Sequence, residues 1–105
     1  MQPSNVLQMN LSVPSAKKLV QEIAQDSCRV FFTHHAEKRM EERKITRTHI
    51  IRCLLKGEIA EDPARGSNGN WQLTMKSYSA GSPVTVVIAL DYDNNGNHII
   101  VITAY

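Results

Sequence analysis

The chain has 105 residues, of which 42% are hydrophobic and 21% charged, as expected for one soluble globular domain. This composition excludes a collagen-like, low-complexity or strongly disordered chain. No apolar run approaches the roughly 18–20 residues of a membrane span, and the start lacks the features of a signal peptide. We therefore expect a cytoplasmic protein without membrane contact. Two cysteines, Cys28 and Cys53, are too few for a disulfide scaffold, and we expect both to be reduced and partly buried.

The net charge of +2 is unevenly distributed along the chain. Residues 1–28 are neutral, residues 29–56 sum to +5, and residues 57–105 sum to −3. Three of the four histidines also lie in the positive segment. A basic, histidine-containing segment predicts a polyanionic partner, and the alternative is an ordinary solvated helix surface.

Three helices are predicted in the first half of the chain. Residues 1–14 have no clear period, which predicts an N-terminal arm or an added edge strand. Ser15 is a suitable N-cap for a first helix over about 15–26, whose apolar residues share one face. After the short apolar segment 30–32, Thr33 is a suitable N-cap for a second helix over 34–43. Thr46 is the corresponding N-cap for a third helix over 47–56, and Gly57 occupies the position of a C-terminal glycine.

Strands are predicted after Gly57. Residues 58–61 form a short strand, the turn-rich residues 62–70 form a loop, and alternation from Trp71 to Lys76 predicts a half-buried strand. Residues 84–90 are apolar on both sides apart from Thr85, as in a central strand, and the Asn95-Gly96 pair predicts a hairpin to a last strand over 98–105. The predicted fold class is therefore α+β. N-terminal helices pack on a four-stranded antiparallel sheet in a single domain over residues 15–105.

The second helix carries a row of three basic or titratable residues. His35, Arg39 and Arg43 are spaced at i, i+4 and i+8, which predicts that they share one helix face. Guanidinium groups bind phosphate oxygens and stabilise the extra charge of a pentavalent phosphorane, and imidazole transfers protons near neutral pH. The row therefore indicates a phosphodiester site, and the alternative is a set of solvated arginines beside a half-buried histidine.

Two segments resemble a family of small bacterial domains of unknown function. The helix matches H-A-x-x-R-M-x-x-R-x-I from His35 to Ile45, and the end of the chain matches V-x-T-x-Y from Val101 to Tyr105. The resemblance covers about residues 30–105. This family is thought to share the fold of the RelE and BrnT toxins, which has helices packed on a four-stranded antiparallel sheet.

The resemblance implies a metal-independent endoribonuclease that is the toxin of a toxin–antitoxin pair. Such enzymes use the 2′-hydroxyl of the RNA as the nucleophile and need no cofactor. The implied partners are RNA and a small antitoxin protein, in a toxin–antitoxin hetero-oligomer or a homodimer. The candidate catalytic residues are His35, Arg39, Arg43 and Tyr105. The candidate RNA-binding residues are Thr103, Lys38, Arg47 and Lys76. Because the strands carry few basic residues, ribosome-dependent cleavage fits this chain less well than RNA binding.

Two other functions remain open on the residues alone. The same basic face is suitable for a non-catalytic module that binds RNA or a protein, and an exposed edge strand is suitable for pairing with another chain. We expect no metal site, because the histidines and cysteines have neither CxxC nor HxxxH spacing.

Overall fold

A computed structural model of the protein describes residues 11–66, 70–79, 81–93 and 96–105. Most of the predicted arm, residues 1–10, lies outside the described residues, as do parts of the predicted turns. Helix α1 spans Val13–Ala24, so it begins and ends two residues earlier than predicted. The physical reason is that Ser12, not Ser15, is the N-cap: its side chain accepts a hydrogen bond from the Ser15 amide. Pro14 then lies in the first turn, where a proline costs no helical hydrogen bond.

Helices α2, His34–Arg43, and α3, Arg47–Lys56, have the predicted bounds and N-caps. The Thr33 side chain accepts from the Ala36 amide and donates to the Ile102 carbonyl, both at 3.0 Å. It therefore caps α2 and ties the helix to the last strand. A left-handed Lys44 with φ of 57° ends α2. At α3, the Thr46 hydroxyl accepts from the His49 amide and the His49 ring accepts from the Thr46 amide.

The sheet has five strands, so the prediction of four antiparallel strands was wrong. The strands are β1, Val30–Phe32; β2, Glu58–Arg65; β3, Trp71–Ser79; β4, Ser82–Asp93; and β5, Gly96–Ala104. Their order is β1-β5-β4-β3-β2, and β1 pairs parallel with β5 while all other pairs are antiparallel. Strand β2 also continues through residues predicted as loop, with register shifts after Ile59 and Glu61.

The three helices cover one face of the sheet. Side chains from all three helices join alternate residues of β3, β4 and β5 in one core, including Val20, Met40, Leu54, Ile88 and Val101. Within the described residues, no helix is long and apolar enough to cross a membrane. The fold thus leaves the outer sides of α2 and α3 at the protein surface.

Gly57 joins α3 to β2 where two backbone segments meet. Gly57 ends α3 as its C-cap, and its φ of −77° and ψ of 178° are extended rather than left-handed. A Cβ atom at this position would lie 2.5 Å from the Cys53 carbonyl oxygen and 2.7 Å from that of Lys76. Glycine is required here because the backbones approach closely, not because of its dihedral angles.

Candidate functional site

Helix α2 exposes the row that the sequence predicts. Ala36 and Met40 are the only buried residues of α2, whereas His35, Arg39 and Arg43 are exposed. At 1.5 Å per residue, each step of four residues advances about 6 Å, so the row extends about 12 Å along the helix. This length places the three side chains next to one another on the surface.

The members of this row differ in their partners. The Arg39 guanidinium is 3.7 Å from the Glu42 carboxylate, and both side chains are about half exposed. Such an exposed pair contributes little free energy, so Arg39 can exchange Glu42 for a ligand at small cost. His35 and Arg43 have no side-chain hydrogen bond or ion pair within the described residues.

Arg43 and Tyr105 lie at the same end of α2. Both line a groove of about 410 Å³ together with His49 and Pro83. Tyr105 is held there by its backbone, which exchanges hydrogen bonds of 2.7 and 2.8 Å with Thr85, while its side chain remains half exposed. The structure therefore brings together two of the four candidate catalytic residues, and His35 and Arg39 do not line this groove.

The candidate RNA-binding residues are dispersed over the molecule. Lys38 is exposed on α2, and Thr103 is partly exposed on β5 next to the buried Ala104. Because neighbouring strand residues point to opposite faces, Thr103 faces away from the side of the sheet that the helices cover. Lys76 lies on β3, with its ammonium 5.9 Å from the centroid of the Tyr78 ring.

Arg47, the fourth of these residues, is engaged at the start of α3. Its guanidinium lies 3.5 Å from the Glu37 carboxylate and 4.4 Å from the centroid of the Phe32 ring. It thus links α3 to α2 and to β1. A polyanion that binds Arg47 replaces a contact that already exists.

The positive charge of residues 29–56 is concentrated on α3 rather than on α2. Helix α2 contains three basic and three acidic residues and is neutral when its histidines are neutral. Helix α3 contains three basic residues and no acidic one. Two of these, Arg52 and Lys56, are exposed and were not among the predicted site residues. The sequence signal that could have identified Arg52 and Lys56 is the absence of Asp and Glu from α3.

The two cysteines differ in environment. Both are free, but Cys28 is exposed, so the expectation of partial burial is wrong for it. Cys53 is buried, and this burial raises the pKa of its thiol above the ordinary value of 9.0. Among the described residues, no three His, Cys, Asp or Glu side chains are grouped to hold a metal ion.

The fold and surface define a class of protein: a small α+β domain with a five-stranded mixed sheet and two exposed, cation-bearing helices. Residues 32–105 match the model of a domain of unknown function, DUF4258. The chain therefore belongs to the DUF4258 family, which confirms the membership in a small family of unknown function that the two motifs predict. The match begins at the end of β1 and includes α2, α3 and the rest of the sheet, but not α1. Comparisons with curated proteins and with solved structures give no significant match.

Proposed function

We propose that the protein is a metal-independent endoribonuclease whose site is the α2 row. The observation that carries this proposal is the uninterrupted exposure of His35, Arg39 and Arg43 along one helix. An imidazole beside two guanidiniums combines a proton-transfer group with phosphate ligands. Such a set needs no metal ion, because the RNA itself provides the nucleophile.

In the proposed reaction, His35 accepts the proton of the RNA 2′-hydroxyl. The 2′-oxygen attacks the adjacent phosphorus, the bond from phosphorus to the 5′-oxygen breaks, and the leaving 5′-oxygen takes up a proton from Tyr105 or from water. The products are a 2′,3′-cyclic phosphate and a 5′-hydroxyl. Arg39 binds the scissile phosphate after it separates from Glu42, and it stabilises the phosphorane charge.

Flanking residues hold the rest of the RNA in this proposal. Arg43 binds the next phosphate, and Tyr105 in the same groove provides a stacking ring or a proton for the leaving oxygen. Thr103, Lys38, Arg47 and Lys76 bind phosphates or sugars further along the strand. Their dispersal suggests that these outer contacts are individually weak.

The wider biological role follows from the motif resemblance. We propose that the protein is the toxin of a cytoplasmic toxin–antitoxin pair, related to RelE and BrnT, and that a small antitoxin protein neutralises it in a hetero-oligomer. The support is the match of His35 to Ile45 and of Val101 to Tyr105 with the motifs quoted above.

The test is cleavage of a single-stranded RNA by the purified chain in the presence of EDTA. We expect His35→Ala to lower the rate by about 10²–10⁴-fold, the usual contribution of a general acid or base. His34→Ala is the matched control, since His34 is exposed but lies about 100° around the helix from His35. Equal loss in both variants, or no cleavage by folded wild-type protein, contradicts the enzymatic proposal. A substrate with 2′-deoxy sugars must resist cleavage.

A second function is a module that binds RNA without cleaving it. The specific observation in its favour is that the net positive charge lies on α3, whereas the row that contains His35 lies on the neutral helix α2. This function predicts salt-dependent RNA binding that survives His35→Ala and is weakened by Arg52→Ala. Titration of labelled RNA at two salt concentrations distinguishes it from the enzyme.

A further inference from the structure

A groove runs along α3 on the side of β1. Two rows of α3 side chains at i, i+4 spacing line it: one contains Arg47, Ile51 and Leu55, and the other contains Arg52 and Lys56. From Arg47 to Lys56 the groove follows α3 for about 13.5 Å at 1.5 Å per residue. The groove has a volume of about 540 Å³, within the roughly 300–1,000 Å³ of ligand pockets. We call it the α3 groove.

The floor of the α3 groove is apolar. Ile51, Leu55 and Phe32 line it, and all three are partly buried against the core. The Arg47 guanidinium already lies over the Phe32 ring, so that ring face is not free to stack on a nucleobase. An aliphatic floor with a covered aromatic ring favours leucine- or methionine-like side chains over bases.

The rim of the α3 groove is basic. Arg52 and Lys56 have no ion pair or side-chain hydrogen bond within the described residues, and Arg47 has only the exposed pair with Glu37. No acidic side chain lines the groove in the described part of the chain. The surface therefore offers positive charge to a ligand that brings carboxylates.

We propose that the α3 groove docks an acidic amphipathic helix of a partner protein. Leucine-like side chains at i and i+4 of that helix contact Ile51 and Leu55. Its Asp or Glu side chains pair with Arg52 and Lys56. The charge complementarity and the parallel apolar and basic rows together specify this occupant. The docking does not use the proposed catalytic row, since His35 and Arg39 lie outside the groove, and Arg47 is the one groove residue that is also a proposed RNA contact.

The experiment starts from a random 12-residue peptide library displayed on phage and selected against the immobilised full-length chain. We expect the enriched peptides to contain two or more acidic residues and leucine-like residues at i and i+4 spacing. Fluorescence polarisation of labelled selected peptides then gives affinities for the variants. Arg52→Glu and Lys56→Glu should each weaken binding by about tenfold or more, because they place like charges together.

The matched control is Lys18→Glu, which makes the same charge change at an exposed position of α1. It should leave the affinity within about twofold, and thermal unfolding should show that all three variants remain folded. Amide chemical-shift changes on peptide addition should cluster in α3 and β1. Selected peptides without acidic residues, unchanged affinity in both groove variants, or shifts centred elsewhere overturn the proposal. Displacement of the peptide by a 12-nucleotide oligouridylate in Arg47→Ala, which lacks the proposed RNA contact of this groove, would overturn it in favour of a nucleic-acid site.

Discussion

Gly57→Ala should destabilise the protein strongly, even though the backbone angles at Gly57 suit alanine. In an extended conformation, replacing glycine by alanine normally stabilises a protein by about 0.4–1 kcal/mol, because the unfolded chain loses freedom. Here the new methyl group would lie 2.5 Å from the Cys53 carbonyl oxygen and 2.7 Å from the Lys76 carbonyl oxygen. Both distances are below 3.0 Å, a separation that Cβ atoms essentially never show, and both neighbours are backbone atoms.

The cost follows from the need to move α3 away from β3. Overpacking of a well-packed site costs typically about 1–3 kcal/mol, and the rigid backbone neighbours favour the upper part of that range. At about 4–8 °C per kcal/mol for a domain of this size, we expect the Tm to fall by roughly 10–20 °C. Thermal and urea unfolding followed by circular dichroism measure the change.

Gly81→Ala is the control for this prediction. Gly81 has a positive φ of 83°, but nothing lies within 4 Å of a Cβ atom there. Its replacement should therefore cost only the left-handed strain of about 1–2 kcal/mol. If Gly57→Ala is as stable as the wild type, or less damaging than Gly81→Ala, the close approach at Gly57 does not limit stability and the reasoning is wrong.

Two further predictions concern single side chains. Thr33→Val should lower the unfolding free energy in urea by about 1–2 kcal/mol, because it removes both the α2 cap and the bond to β5, whereas Thr33→Ser should retain most of it. Burial raises the pKa of the Cys53 thiol, so the folded state holds a proton that the unfolded state loses. The contribution of this thiol to the unfolding free energy should be fully present below the ordinary pKa of 9.0. It should decline as the pH rises above that value. Unfolding curves at pH 8–10.5 should show a smaller alkaline decline for Cys53→Ala than for wild type or Cys28→Ala. Equal declines in all three would contradict this assignment.

The helices were predictable because their signals are local. Thr33 and Thr46 are N-caps whose side chains accept hydrogen bonds from the amides three residues further on. Helices α2 and α3 begin where these two residues predict. The start of α1 was misassigned because Ser12 and Ser15 are both competent caps separated by one turn. Pro14 favours the first, because proline is common in the first turn of a helix, and the prediction overlooked this signal.

The sheet was only partly predictable because strand pairing is not local. Strand β1 has three residues, too few for a period, and its partner β5 lies almost seventy residues further along the chain. The parallel pairing of Phe31 with Ile100 leaves no mark on the sequence of either segment. Strand β2 was shortened in the prediction because Pro63 is typical of loops. Prolines are also tolerated in edge strands, and β2 is one of the two edge strands of this sheet.

The candidate site was predictable as a helix row but not as a distribution of charge. The net charge summed over residues 29–56 combines a neutral α2 with a positive α3. The two contributions can be told apart only when the helix bounds and the ion pairs are known. Glu42 and Glu37 reduce the effective charge of Arg39 and Arg47, respectively. For that reason, catalysis and partner docking are assigned to different helices.

The two proposed surfaces share one direct contact, the pair between Glu37 on α2 and Arg47 on α3. Both side chains are more than half exposed, and exposed pairs contribute about 0.2–1 kcal/mol. A helix docked in the α3 groove that withdraws Arg47 from Glu37 can therefore change RNA affinity by no more than about fivefold through this contact. Inhibition much greater than fivefold by a groove-binding peptide would require the peptide to cover RNA contacts directly, either Arg47 in the groove or the α2 row. Measuring RNA affinity with and without a saturating selected peptide, in wild type and Glu37→Gln, separates these two routes. Loss of the effect in Glu37→Gln identifies the ion pair, and its persistence identifies direct coverage.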